Sequence, residues 1–313
     1  MDYLLILVGF VVLILGAHYL VDGASGLAKR FNVSNLIIGL TVVAFGTSAP
    51  ELVVNIVAVT NSSTTDIALT NIIGSNMINV YVILGIAALI FPIFSQKSSR
   101  RFDIPLSFIA PVVILLLLWG MDGQINRAGG FVLLIFFIWF MTVMVRKAFK
   151  HPEKAADEDF KPMKIWLALL MIVGGLGGLI GGAQLIVPSA TRIAESLGIS
   201  QSIIGLTIIA LGTSLPELAT SAVAAFKRNS DIALGNVIGS NIFNVFFILA
   251  ISAIIRPLPA YHNITYDLII TALGSLLLLV FIYTNKSHKI KRWGGAVLLI
   301  IYTLYLVWTI TNM

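Results

Sequence analysis

Residues 33–52 read VSNLIIGLTVVAFGTSAPEL, and residues 199–218 read ISQSIIGLTIIALGTSLPEL. The two segments are identical at 13 of 20 positions. A second pair follows at nearly the same spacing: DIALTNIIGSNMINVYVIL at 66–84 and DIALGNVIGSNIFNVFFIL at 231–249 are identical at 13 of 19 positions. Identity of this extent at a nearly constant spacing indicates an internal repeat.

The composition indicates a membrane protein. Of 313 residues, 58% are hydrophobic and 11% are charged, whereas about 25% of an average soluble domain is charged. Apolar stretches of roughly 20 residues, each long enough to cross the hydrocarbon layer, recur along the chain. We therefore expect an all-α integral membrane protein with ten transmembrane helices. The predicted spans are residues 3–22, 35–60, 66–91, 104–120, 128–146, 164–189, 201–226, 231–255, 264–284 and 294–311.

The number of spans in each copy predicts how the copies are oriented. Each copy contains five spans, an odd number, so the second copy enters the membrane from the opposite side. We expect two inverted five-helix repeats within one membrane domain, at 1–146 and 164–313, joined by a cytoplasmic linker at 147–163. In such an arrangement the two repeats share a site near the bilayer midplane.

The distribution of Lys and Arg predicts the topology. With the N-terminus outside, the cytoplasmic loops and ends hold 17 of the 20 Lys and Arg residues, as the positive-inside rule requires. We expect both termini outside. This topology accounts for the net charge of +6 without a nucleic-acid partner.

Several kinds of chemistry are excluded by residues that the sequence lacks. It contains no cysteine, which removes disulfides, thiolate metal sites and cysteine nucleophiles. It also contains neither the His-Glu-x-x-His nor the Gly-x-Ser-x-Gly pattern of hydrolases. We therefore expect neither an enzyme nor a bound cofactor.

The best-preserved part of each copy is polar. Glu51 and Glu217 lie in mid-span, where an acidic group costs on the order of 3 kcal/mol. Each follows Gly-Thr-Ser and a proline, and the proline lacks the amide hydrogen that would bond a carbonyl one turn earlier. The next span of each copy adds a serine and an asparagine four residues apart. The predicted ligand side chains are Thr47, Ser48, Glu51, Ser75 and Asn79 in the first copy, and Thr213, Ser214, Glu217, Ser240 and Asn244 in the second.

These side chains offer oxygen donors and two formal negative charges, which suit hard cations such as Ca²⁺ and Na⁺. Two carboxylates neutralise one Ca²⁺ or two Na⁺, and neutral oxygens could hold a further Na⁺. Four other asparagines lie close by in the sequence. For these the sequence leaves two roles open, ion binding and hydrogen bonding between helices. They are Asn71, Asn76, Asn236 and Asn241.

The doubled GTS-x-PE and GSN-x-x-N segments resemble the two alpha repeats of the calcium/cation antiporter superfamily, specifically its prokaryotic sodium/calcium exchanger branch. The resemblance covers nearly the whole chain. It implies a multi-pass protein of a prokaryotic plasma membrane, with spans two, three, seven and eight around the site and Na⁺ and Ca²⁺ as transported ions. The family's ligands fall on the ten side chains above, and the carbonyls of Ala44 and Ala210 fall at sodium-site positions.

One departure from the family pattern concerns charge. Exchangers of this type usually have an aspartate in at least one repeat where this chain has Asn79 and Asn244. The two amides keep the site at two negative charges. The departure bears on stoichiometry, on potassium dependence and on the preferred ion.

Two alternatives to sodium/calcium exchange remain. A proton/calcium exchanger of the same superfamily would be expected to carry a Gly-Asn-x-x-Glu motif in place of GTS-x-PE. A cation channel could use the same oxygens, but channels usually assemble the filter around an oligomeric axis. Because one copy of this chain carries both halves of the site, we expect a monomer to suffice. We predict Na⁺/Ca²⁺ antiport by alternating access, with three Na⁺ exchanged for one Ca²⁺.

Overall fold

The structure is a computed structural model that describes residues 1–60, 66–150, 163–198 and 210–311. Within these ranges the chain is helical apart from four two-residue strands and the connecting turns. Eight helices of the described chain are long and apolar enough to cross a membrane, and a bent pair forms a ninth candidate span. The helices are α1 (Asp2–Phe31), α2 (Asn35–Thr47), α3 (Ala49–Thr60), α4 (Ile67–Ile90), α5 (Ser99–Gly120), α6 (Arg127–Lys150), α7 (Ile165–Ser196), α8 (Ala210–Thr213), α9 (Leu215–Phe226), α10 (Ser230–Ile255), α11 (Ile264–Tyr283) and α12 (Arg292–Thr311).

These helices confirm the expected all-helical membrane protein. The predicted span 201–226 falls partly outside the described residues, and α8 and α9 account for its second part. Some helices extend beyond the apolar stretches: α1 ends at Phe31, α7 ends at Ser196, and α6 continues to Lys150 into the predicted linker. A helix satisfies its backbone hydrogen bonds locally, so it can continue past the residues that face hydrocarbon.

Burial separates an inner group of helices from an outer group. In both α4 and α10, 78% of the residues in the most apolar stretch are buried, against 33% in α1 and 28% in α7. Both inner helices contain a π-helical stretch, Ile78–Ile83 in α4 and Asn244–Leu249 in α10. Such stretches are frequent at functional sites. The GSN-x-x-N segments thus lie on the two candidate spans of the described chain whose apolar stretches are most buried.

The outer helices α1 and α7 pack against each other through glycines. A Cβ atom on Gly16 would lie 2.7 Å from the carbonyl oxygen of Gly175, and one on Gly182 would lie 2.7 Å from that of Gly9. The contacts run in opposite directions along the two helices, so the pair is antiparallel. Small residues allow membrane helices to approach at backbone distance, where van der Waals contact is greatest.

Two short antiparallel ladders join loops from the two copies of the repeat. Strand β1 (Ile93–Phe94) pairs with β4 (Lys289–Ile290), and β2 (Gln124–Ile125) pairs with β3 (Leu258–Pro259). Ile93 faces Ile290 in one ladder, and Leu258 faces Ile125 in the other. At the spacing that relates 66–84 to 231–249, Leu258 is the counterpart of Ile93, and Ile290 is the counterpart of Ile125. The two ladders therefore have equivalent registers: each pair in one ladder corresponds to a pair in the other in which each residue is replaced by its counterpart from the other copy.

Candidate ion-binding site

The GTS-x-PE segments form breaks between helices. Ser48 separates α2 from α3 with φ −81° and ψ 7°, and the two helices are bent by 45° relative to each other. Ser214 separates α8 from α9 with φ −86° and ψ 4°. Pro50 and Pro216 each occupy the second position of the helix that follows, where a missing amide hydrogen costs nothing. Each break thus occurs at the segment where the proline pattern predicts it.

The two glutamates are buried and each faces the opposite copy of the repeat. Glu51 and Glu217 are each 1% exposed. The Ser48 hydroxyl donates to Oε1 of Glu217 at 3.1 Å, and the Ser240 hydroxyl lies 3.5 Å from the same atom. Glu51 has Thr213 and Ser214 of the second copy as neighbours. The two copies therefore contribute to one site in which each carboxylate meets a hydroxyl segment from the other copy.

Asn236 forms hydrogen bonds between the helices that carry this site. The Thr47 hydroxyl donates to the Asn236 side-chain oxygen at 3.0 Å. The Asn236 nitrogen donates to the Glu217 carbonyl oxygen at 3.2 Å and to the Ser221 hydroxyl at 2.9 Å. These bonds join α2, α9 and α10. For Asn236 the structure shows hydrogen bonding between helices, one of the two roles that the sequence leaves open.

Six buried oxygens of the predicted ligand side chains have no hydrogen-bond partner among the described residues. Buried polar atoms are nearly always partnered, so such a cluster requires an explanation. The donor set contains only carboxylate, hydroxyl and amide oxygens, which fits a hard cation with six to eight oxygen ligands. The atoms are Glu51 Oε2, Ser75 Oγ, Asn79 Oδ1, Ser214 Oγ, Glu217 Oε2 and Asn244 Oδ1.

Of the two backbone carbonyls suggested by the family resemblance, that of Ala44 already accepts a hydrogen bond. The Ala44 carbonyl oxygen accepts from the Ser48 amide at 3.0 Å and lies 3.3 Å from the Thr47 hydroxyl. An ion at Ala44 would therefore compete with the Ser48 amide, because the single hydroxyl hydrogen of Thr47 is donated to Asn236. Ala210 is the first residue of α8, next to residues outside the described ranges. Both carbonyls stay predictions as ligands.

The sequence reasoning missed Asn55. This side chain is fully buried, and neither its oxygen nor its nitrogen has a partner among the residues that the structure describes. Asn55 lies four residues after Glu51 on α3, and residues at that spacing share a helix face. The four-residue spacing that relates Ser75 to Asn79 also relates Glu51 to Asn55 and would have found it.

A comparison with known protein families identifies the chain. Residues 1–146 and 167–311 match the family described as "Sodium/calcium exchanger protein". This chain belongs to the sodium/calcium exchanger family. The resemblance drawn from the GTS-x-PE and GSN-x-x-N segments is thereby confirmed.

Individual members of the family match over most of their length. The sodium/calcium exchanger MaX1 of Methanosarcina acetivorans is 33% identical over 346 residues, covering 98% of this chain and 97% of that protein. The inner membrane protein YrbG of Escherichia coli is 36% identical over 266 residues, covering 81% of this chain and 79% of that protein. A solved structure of the sodium-calcium exchanger NCX_Mj superposes with a TM-score of 0.83 at 35% identity and covers 98% of each chain. The chain is thus a multi-pass membrane antiporter of the exchanger family.

Proposed function

We propose that this chain exchanges Na⁺ for Ca²⁺ across the membrane by alternating access, with three Na⁺ moving against one Ca²⁺. The observation that carries the proposal is the group of six buried oxygens, without partners in the described chain, on residues from both copies of the repeat; it includes one oxygen of each glutamate. Neutralising two buried carboxylates requires two positive charges, because unpaired charge in a membrane protein is costly. One Ca²⁺ or two Na⁺ would supply them.

The same oxygens can serve both ions, and this shared use is what an antiporter needs. Ca²⁺ and Na⁺ are both hard cations that prefer oxygen ligands. When one ion species occupies the carboxylates, it neutralises their charge and fills the space between them. The other ion species is therefore displaced. The ten proposed ligand side chains, with the carbonyls of Ala44 and Ala210, would form the binding sites.

We further propose that the chain is built as two inverted five-helix repeats, 1–146 and 164–313, around a cytoplasmic linker at 147–163. The mirrored registers of the two strand ladders support this architecture. So does the hydrogen bond of Ser48 to a glutamate of the other copy. Both termini would face outward from a prokaryotic plasma membrane, and one chain would hold a complete site.

Alternating access would result from movement of α1 and α7 together against the inner helices. The glycine contacts bring their backbones within van der Waals distance, so a shift of one helix would carry the other. The carboxylates lie on α3 and α9, outside this pair. The site could thus keep its ligands while α1 and α7 expose it to one side and then to the other.

The function is tested by loading proteoliposomes with Na⁺ and measuring uptake of ⁴⁵Ca²⁺. Exchange requires that uptake stop when the outward Na⁺ gradient is removed. Uptake driven by a proton gradient would instead indicate a proton/calcium exchanger, and uptake that needs no counter-ion would indicate a channel. Either result would overturn the proposal.

The stoichiometry is tested by voltage. Exchange of three Na⁺ for one Ca²⁺ carries one net charge, and each charge that crosses 100 mV is worth about 2.3 kcal/mol. A tenfold concentration ratio is worth about 1.4 kcal/mol. A potassium-diffusion potential, negative on the Na⁺-loaded inside, should therefore slow ⁴⁵Ca²⁺ uptake clearly, because it opposes the exit of positive charge. Potassium without a potential should have no effect. A flux indifferent to voltage would indicate two Na⁺ per Ca²⁺.

A further inference from the structure

Four asparagines meet where the inner helices α4 and α10 cross, and two of them have no role in the site described so far. Asn76 and Asn79 belong to the GSN-x-x-N segment of α4, and Asn241 and Asn244 belong to that of α10. All four side chains are at most 2% exposed. Asn79 and Asn244 are proposed ligands. Asn76 and Asn241 are left to be explained.

Asn76 and Asn241 each bond the backbone of the opposite helix. The side-chain nitrogen of Asn76 donates to the carbonyl oxygen of Asn241 at 3.3 Å, and that of Asn241 donates to the carbonyl oxygen of Asn76 at 3.4 Å. A backbone carbonyl can only accept a hydrogen bond. Each of these two side chains must therefore turn its nitrogen toward the facing backbone, which leaves its oxygen as an acceptor on the other side.

Those two acceptor oxygens then fix the orientation of the side-chain amides of Asn244 and Asn79. Asn244 donates its nitrogen to the Asn76 side-chain oxygen at 3.0 Å, and Asn79 donates its nitrogen to the Asn241 side-chain oxygen at 3.0 Å. In both Asn79 and Asn244 the remaining atom is the oxygen. Both oxygens are among the buried atoms without a partner in the described part of the chain.

The orientation decides whether these side chains can bind a cation. The two ends of an amide have nearly the same shape, but the oxygen attracts a cation while the NH₂ group, a donor, repels it. Without a fixed partner, Asn79 or Asn244 could rotate and present its nitrogen to the site.

We propose that Asn76 and Asn241 are positioning residues that hold the Asn244 and Asn79 amides with their oxygens toward the transported cation. The inference rests on the proposed function of the site. It also distinguishes asparagine from the aspartate of the family pattern, because an aspartate has no N–H group to donate to Asn76 or Asn241. Asparagine at both ligand positions and asparagine at both positioning positions form one consistent set of hydrogen bonds.

The test compares Asn76→Ala in two backgrounds of the purified, detergent-solubilised chain. Ca²⁺ affinity is read from the rise in unfolding temperature with added CaCl₂, since a ligand that binds the folded state stabilises it. In the Asn244 background we expect Asn76→Ala to weaken Ca²⁺ binding roughly tenfold, about the value of one hydrogen bond. In the Asn244→Asp background we expect little change, because a carboxylate presents an oxygen whichever way it rotates.

A purely structural role predicts a different result. The bond from Asn76 to the Asn241 backbone is lost in both backgrounds, so an equal loss of affinity in both would overturn the proposal. Asn241→Ala, tested with and without Asn79→Asp, repeats the experiment on the other helix should one Asn76 variant fail to fold. Asn76→Ala combined with Gly174→Ala serves as the control, because a Cβ on Gly174 would meet nothing within 4 Å and the two effects should multiply. If the unsubstituted chain shows no stabilisation by either Ca²⁺ or Na⁺, the proposed function itself fails.

Discussion

Two pairs of helices in this molecule are joined by opposite means. The outer pair, α1 and α7, approaches through glycines along its length and has an exposed ion pair at one end, where Arg192 Nε lies 2.9 Å from Asp2 Oδ1. The inner pair, α4 and α10, is joined by reciprocal amide hydrogen bonds such as that from Asn79 to Asn241. Directional hydrogen bonds hold one register, whereas van der Waals contact depends on shape alone.

The difference suggests that the two helix pairs have different roles in transport. A network of buried amides loses several hydrogen bonds if its helices shift, so the inner pair suits a site of fixed geometry. In the described residues, directional contacts from α1 reach the turn at 227–229 between α9 and α10. One is the bond from Asn229 to Ser25 at 3.1 Å, and another is the ion pair of Lys227 with Asp22. We expect function to be most sensitive to the carboxylates, then to links between the two groups of helices, and least to surface charges.

The largest effect is expected at the glutamates. Glu51→Gln and Glu217→Gln should each abolish Na⁺-dependent ⁴⁵Ca²⁺ uptake, because each removes half of the charge that neutralises Ca²⁺. The amide is nearly isosteric, so the protein should still fold and elute normally in size-exclusion chromatography. Glu195→Gln, at the exposed end of α7, is the matched control and should transport normally. Robust exchange by either core variant would refute the site assignment.

Cross-links can distinguish movement of α1 and α7 together against the inner helices from movement of α1 relative to α7. The chain has no cysteine, so introduced thiols react without background. Ser25→Cys with Asn229→Cys, joined by a short bis-thiol reagent, ties α1 to the inner helices and should stop nearly all turnover while Ca²⁺ binding persists. Asp2→Cys with Arg192→Cys ties α1 to α7 and should leave turnover largely intact. Full turnover with the first cross-link would show that the moving part has been misidentified.

A methyl group in the glycine interface should have an intermediate effect. A Cβ on Gly175 would lie 2.6 Å from the Leu20 amide nitrogen, whereas one on Gly174 would meet nothing within 4 Å. Gly175→Ala should cost about 1–3 kcal/mol through overpacking and slow transport, as measured by thermal unfolding and ⁴⁵Ca²⁺ uptake. Gly174→Ala should be neutral or stabilising by up to about 1 kcal/mol, since alanine favours helix. Equal effects of the two variants would argue against close packing of α1 and α7.

The smallest effect is expected at the exposed end of the same interface. The side chains of Arg192 and Asp2 are 50% and 30% exposed, and ion pairs of this kind contribute about 0–1 kcal/mol. Arg192→Gln should therefore change the unfolding temperature by little and leave the uptake rate nearly unchanged. A loss as large as that of Gly175→Ala would mean that charge, rather than backbone contact, joins the outer pair.

The sequence by itself determined the class of the molecule and the main features of its site. Apolar stretches of membrane length are a property of consecutive residues, and so is a glutamate placed after Gly-Thr-Ser and proline. The helix break at Ser48 follows from the same local pattern. The repeat also marked the serines and asparagines of α4 and α10 as candidates. None of these inferences requires knowledge of which helices touch.

Only the tertiary structure decided which residues of the two copies meet. Ser48 bonds Glu217, Asn76 bonds both Asn241 and Asn244, and Gly16 packs against Gly175. The sequence left the role of Asn76 and Asn241 open and passed over Asn55. It also ended α1 and α7 too early, because it followed the apolar stretch rather than the hydrogen-bonded helix. The physical reason is that the contacts of a buried amide are made with residues far away in sequence. Their geometry depends on how the helices cross, which no local pattern encodes.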